Sequence, residues 1–156
     1  MNIERIRQID RSFGVLVCWF LSVFCILSSA LGFRKIKGEP KKILFLKPAE
    51  MGGMVVLYPT LKKAKEMFPK AEFYFVTFKE NLGILKILDI LPEENILLLR
   101  TDSFWHLFYD TLKDILILRR KGIDTVLDFE FFSRFSAIFS YLTGARRIVG
   151  FHRLYS

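Results

Sequence analysis

The stretch Lys42-Ile-Leu-Phe-Leu-Lys-Pro-Ala-Glu-Met-Gly-Gly-Met-Val-Val-Leu-Tyr-Pro59 decides how this chain folds. Lys42 to Lys47 is a short apolar run closed at each end by a charge, the pattern of a strand buried on both faces. From there Met54, Leu57, Tyr58, Leu61, Ala64 and Phe68 recur at helical spacing, which predicts a helix with that stripe turned inward. Between strand and helix lie one carboxylate, Glu50, and the pair Gly52 and Gly53. Glycines at such a junction permit positive φ or close backbone approach, and the free amides of a first helical turn attract anionic oxygen. The G-x-G-x-x-G spacing of dinucleotide-binding loops is absent, so an ordinary tight turn is the plain alternative. Pro59 opposes the Val55 carbonyl in a regular helix, which predicts a kink or a late start.

Working outward, Pro69 ends the helix, Glu72 to Phe78 reads as a second strand, and Asn81 to Leu91 as a short helix stopped by Pro92. Asn95 to Leu99 is a third strand. Asp102 or Ser103 can cap a longer helix that turns Phe104, Leu107, Phe108, Leu112 and Ile115 inward and ends at Gly122. Thr125 to Phe129 is a fourth strand, Phe132 to Leu142 a Phe-rich helix ended by Gly144, and Arg147 to Phe151 a fifth strand. Strict alternation of apolar strands with helices predicts an α/β fold, a Rossmann-like parallel sheet covered on both faces. Ligands of such sheets bind beyond the carboxyl ends of the strands, which directs attention to the residues just after Lys47, Phe78, Arg100, Phe129 and Phe151.

Upstream the composition changes. No charged residue occurs between Phe13 and Phe33, a run long enough to cross a hydrocarbon core of about 30 Å as one helix. Five Lys and Arg between Arg34 and Lys42 follow it against three before it, a bias that places the following domain on the cytoplasmic face. A re-entrant arrangement would leave it on the same face. Residues 1–40 therefore read as a membrane anchor and basic linker, and 41–156 as the globular domain.

The net charge of +8 suits anionic lipid or phosphorylated glycolipid. Nucleic acid is disfavoured, because the cations are scattered or in short pairs such as Arg119-Arg120 rather than interleaved with aromatics. Cys18 and Cys25 both lie in the apolar run and suggest no disulfide framework, no metal-ligand spacing occurs, and no cofactor is implied. His152 reads as a loop histidine and His106 as a helix-surface residue.

Together these segments resemble the N-terminal half of the family-nine glycosyltransferases, the bacterial lipopolysaccharide heptosyltransferases. The resemblance runs from about Lys41 to Arg153. It rests on Lys42-Ile-Leu-Phe-Leu-Lys47 followed by Met51-Gly52, then Pro59-Thr-Leu61, Phe68-Pro69, Ala71-Glu72, Gly122-Ile-Asp-Thr-Val-Leu-Asp-Phe129, Ser133-Arg-Phe-Ser-Ala137 and Gly144-Ala-Arg-Arg-Ile-Val-Gly-Phe151. It implies the acceptor-side domain of a two-domain GT-B enzyme at the bacterial inner membrane. That enzyme would transfer a sugar, with inversion, from a nucleotide-sugar to a lipid-linked saccharide such as lipopolysaccharide core. In that family an aspartate follows the glycine of the first loop and serves as general base; here the position is Gly53, leaving Glu50 as the loop carboxylate to take the role.

The resemblance further implies Lys47, Gly52, Gly53, Asp128 and Arg134 as the substrate-binding set. Arg134 would hold an acceptor phosphate or carboxylate, or else form an ion pair with Asp128 or Glu130; Asp128 would orient Arg134 or cap the helix. Phe129, Phe131, Phe132, Phe135 and Phe139 form either an apolar acceptor surface or ordinary core. Because the alternation ends at Tyr155-Ser156, the donor-binding domain is expected to be absent. The chain alone is then expected to bind nucleotide-sugar no better than about 1 mM, and its open sheet edge to favour self-association or a partner chain. A non-catalytic membrane module that binds glycolipid or scaffolds an enzyme is the alternative function.

The anchor is testable directly: the full chain should stay with membranes through alkaline carbonate extraction, and removal of residues 1–38 should release the remainder. Recovery of the full chain in the soluble fraction would remove the anchor.

Overall fold

The computed structural model describes residues 38–151 except 50, 90 and 132, and is organised around strand β1 (Lys42–Leu46). The segment Phe13–Phe33, Glu50, Phe132 and His152 lie outside the described residues. Within β1, alternate side chains point to opposite faces, and both faces are covered. Leu44 and Leu46 enter one core and Ile43 and Phe45 the other, each at most 1% exposed. Strand β2 (Glu72–Phe78) divides in the same way, Tyr74 and Val76 to one side and Phe73 and Phe75 to the other. Double burial is the reason these strands are continuously apolar rather than alternating.

With β3 (Ile96–Leu99), β4 (Thr125–Asp128) and β5 (Arg147–Val149) they form a five-stranded parallel sheet in the order β3-β2-β1-β4-β5. This is the expected α/β, Rossmann-like arrangement. Helices α1 (Met51–Met67) and α2 (Leu82–Leu88) cover one face. Helices α3 (Phe104–Lys121) and α4 (Arg134–Leu142) cover the other. Gly122 at φ 74° ends α3 and Gly144 at φ 78° follows α4, the left-handed positions that glycine tolerates best. The expected strands β4 and β5 are slightly shorter than the sequence pattern suggested.

Helix α1 departs from expectation at its start and on its face. It begins at Met51 and runs through Pro59, so there is no late start; Pro59 lacks the N–H that would bond the Val55 carbonyl. Met54, Leu57, Leu61 and Ala64 are buried, but Tyr58 is exposed. A larger correction concerns α3. Leu107 and Ile115 face the sheet as expected, whereas Phe104, Phe108 and Leu112 do not: all are close to half exposed. The inward face instead carries Asp110, Asp114 and Leu118. The cause is Arg100 at the end of β3. Its Nε donates to Asp110 Oδ2 and a terminal nitrogen to Oδ1, each at 2.8 Å, and its backbone N–H donates to Oδ2 at 3.1 Å. A two-pronged charge-assisted contact of this kind fixes the rotation of the helix about its axis.

Asp114 is a consequence of that rotation. It is 4% exposed, its Oδ2 has no hydrogen-bond partner among the described residues, and burial raises its pKa from 3.8 to about 7. Unfolded, this group ionises near 3.8; folded, it holds its proton to about 7. Unfolding between those values therefore releases a proton, and stability falls as pH rises across that window, then levels off. Asp114→Asn, neutral throughout, should match the native chain near pH 4 and exceed it by about 1–3 kcal/mol at pH 8. Urea unfolding in detergent at the two pH values checks this, and an equal difference at both would refute it.

Candidate functional site

The direction of chain travel across the sheet reverses between β1 and β4: β2 and β3 lie on one side of β1, β4 and β5 on the other. In open parallel sheets the loops diverge at this point and leave a crevice beyond the carboxyl ends. Here the segments that emerge at that point are Lys47-Pro48-Ala49 after β1 and Phe129-Glu130-Phe131 after β4.

The first of these loops is held from both neighbours. Lys47 N–H donates to the Val76 carbonyl at 3.1 Å, and Phe129 N–H donates to the Leu46 carbonyl at 2.9 Å. The Pro48 carbonyl accepts from Phe78 N–H at 3.2 Å, from the Thr77 hydroxyl at 3.3 Å and from Asn81 Nδ2 at 2.9 Å. Thr77 and Asn81 are themselves buried. Three donors on one carbonyl hold the loop in place, which keeps the start of α1 in a fixed relation to the sheet.

On this frame sits a cluster of charge. Lys47 is only 3% exposed, and its Nζ lies 3.4 Å from Glu130 Oε1. The other oxygen, Oε2, accepts from Ala49 N–H at 3.0 Å. Lys47 Nζ also lies 5.6 Å from the centre of the Phe131 ring, which stacks on Phe151 at 4.5 Å between centres. Asp128, the last residue of β4, is buried and accepts from Glu130 N–H at 3.0 Å through Oδ1. Burial raises its pKa from 3.8 to about 6, with the Glu130 amide, the Ser136 hydroxyl and Lys47 opposing the rise and the Glu130 charge adding to it. With Leu127, Phe129, Val149, Gly150 and Phe151, Asp128 lines a shallow cavity of about 140 Å³. Gly150 keeps this approach uncrowded, since a Cβ there would lie 3.1 Å from Asp128 Cβ and 3.4 Å from its carbonyl oxygen.

Of the residues expected from sequence, Lys47 and Asp128 are brought together, with Glu130 between them. Glu130, in sequence only a candidate ion-pair partner for Arg134, directs both oxygens to the end of β1. Arg134 is the first residue of α4, partly buried, after Ser133 whose Oγ accepts from Ser136 N–H at 3.3 Å. Gly52 and Gly53 occupy the first turn of α1 without positive φ, contrary to one expected use of them. A Cβ on Gly52 would meet nothing within 4 Å, so its bareness leaves open space beside the loop. The aromatic set divides: Phe139 is core, Phe135 packs against it, Phe129 stacks on Phe45, and Phe131 is exposed at the crevice. Nothing in the sequence marks Thr77, Asn81 or Gly150 as part of a site. The spacing of Glu130 two residues after a strand-terminal aspartate was the one available signal.

No protein-family model and no curated protein matches this chain.

The buried pair gives a direct test. Lys47→Met leaves the Glu130 carboxylate without its cation and should cost about 3 kcal/mol, while Lys47→Met with Glu130→Gln should recover most of that loss. Unfolding midpoints of the two variants measure this; a cost below about 0.5 kcal/mol for the single change would show that the pair is not coupled.

Proposed function

We propose that residues 41–156 are the acceptor-side, Rossmann-like domain of a membrane-bound glycosyltransferase resembling the heptosyltransferases, acting on a lipid-linked, phosphorylated saccharide. The observation that carries this reading is the juxtaposition of Lys47, Glu130 and Asp128 at the reversal point of the sheet. Arg134, first residue of the helix after β4, and Gly52, in the first turn of the helix after β1, stand on the two elements that leave this point and suit an anionic group of the acceptor. The stacked pair Phe131 and Phe151 offers an apolar rim, a surface on which a sugar ring or a lipid chain can rest.

Inverting transfer needs a base that takes the proton from the acceptor hydroxyl as the nucleotide leaves the anomeric carbon. Asp128, with a pKa of about 6, is ionised at neutral pH and more basic than an ordinary aspartate. We assign it that role beside Glu50, the loop carboxylate singled out by the resemblance. The nucleotide-sugar would be held chiefly by a second domain, and the apolar run Phe13–Phe33 would keep the crevice at the cytoplasmic face of the inner membrane. A glycolipid-binding module without catalysis is the second reading, favoured by Gly53 at the place where the family carries its base.

Calorimetric titration of the full chain in detergent separates these ideas. A phosphorylated, lipid-linked saccharide should bind at about 10 μM, whereas nucleotide-sugars bind no better than about 1 mM. Asp128→Asn should leave acceptor affinity within about threefold and, in a transfer assay with the donor-side domain supplied, lower turnover by two orders of magnitude or more, roughly. Acceptor binding without any transfer selects the module, and tight nucleotide-sugar binding without acceptor binding refutes both.

A further inference from the structure

We infer that the outward face of α3 is a second membrane contact, one that lies along the surface of an anionic lipid bilayer. Six apolar side chains of this helix, Phe104, Trp105, Phe108, Tyr109, Leu112 and Leu116, are 45–73% exposed. At about 100° per residue they occupy one arc of roughly 140°, a continuous stripe rather than scattered positions. Isolated exposed apolar residues need no explanation, but a contiguous aromatic stripe does.

The charge around the stripe identifies what covers it. The remaining exposed residues of α3 are the cations Lys113, Arg119, Arg120 and Lys121 and His106, whose Nδ1 lies 2.6 Å from the Asp102 carboxylate just before the helix. Its two acids, Asp110 and Asp114, are both buried against the sheet. By the same helical arithmetic Lys113 and Arg120 run along one border of the apolar arc. Arg119 stands at the C-terminal end of the arc, its Nε donating to the Leu142 carbonyl at 2.7 Å, whereas Lys121 lies about 100° off the arc with its Nζ 4.9 Å from the centre of the Tyr74 ring. Aromatic and leucine side chains on one arc, edged by cations and with no exposed carboxylate within Phe104–Lys121, are the composition of a helix lying in the headgroup layer. The stems of Lys and Arg extend along the apolar surface while their charges reach the phosphates.

A second copy of this chain fits the face less well, because apposing two such helices brings like charges together. A nucleic-acid strand would use the rings and the cations but leaves Leu112 and Leu116 without a stacking role. The uncharged run Phe13–Phe33 in the same chain points to the same bilayer. The inference uses α3 and does not rest on the transferase reading.

The test uses the full chain with Trp19→Phe, which leaves Trp105 as its only tryptophan. It is reconstituted into phosphatidylcholine vesicles, with and without phosphatidylglycerol, whose acyl chains carry bromine as a quencher. Trp105 emission should fall about twofold or more in the anionic vesicles and less in phosphatidylcholine alone. Adding Lys113→Glu and Arg120→Glu should restore emission, with circular dichroism confirming that the fold is retained. Trp105 emission indifferent to bromine in both vesicles overturns the proposal, and that result needs no charge variant. So does protection of Trp105 that accompanies cross-linking between copies through Leu116→Cys, or quenching by a single-stranded oligonucleotide in place of the brominated lipid.

Discussion

Strand β1 is hydrogen-bonded along both edges and covered on both faces, and this double enclosure is the constraint from which the remaining structure follows. A strand with no solvent-facing side can end only by delivering its chain to the carboxyl edge of the sheet. What emerges there is Lys47, still almost wholly buried, and its charge must be met by another group in the interior. Glu130 meets it from the end of β4, the strand paired to β1 on that side. The crevice therefore inherits its polarity from packing: one buried cation at the end of the central strand draws a carboxylate, and that carboxylate's own amide then holds Asp128.

The alternation of elements was legible in the residues because parallel strands of this kind carry few polar positions, and the glycines at 122 and 144 mark helix ends without ambiguity. The direction in which α3 faces was not. Its more apolar stripe is the one that ends outward, and sequence periodicity cannot foresee this when the inward stripe carries Asp110, the partner of Arg100 in an ion pair formed across a loop. The same limit applies to the site. Lys47 and Asp128 could be singled out by the family resemblance and lie at strand ends, where ligands of such sheets bind, but Glu130 stands 83 residues from Lys47 and acquires its meaning only from β1 and β4 being neighbours. Gly52 illustrates the converse, since its helical backbone and empty surroundings show that a glycine pattern can mark space rather than strain.

Burial of acids links these two faces of the domain. Asp128 and Asp114 both sit in surroundings that favour their protonated forms, one at the crevice and one beneath α3. Drawing acids inward at α3 leaves only lysine and arginine charges on the exterior of Phe104–Lys121 besides His106, so the surface charge of the helix and the electrostatics of the core have one origin in the rotation set by Asp110. The outward aromatic stripe is the other product of that rotation.

The pairing of β1 with β4 also has a consequence in time. The amides of Lys41 and Lys42 both donate to Asp124 Oδ2, across 83 and 82 residues of chain. During synthesis at about 5–20 residues per second, β1 leaves the ribosome roughly 4–16 s before that carboxylate is made. Until then the central strand has at most β2 on one edge and nothing on the other, with the α3 side of its side chains uncovered until that helix is made. The order of synthesis thus leaves the most buried segment of the finished domain as its longest-exposed nascent edge, the place where a chaperone has most to protect.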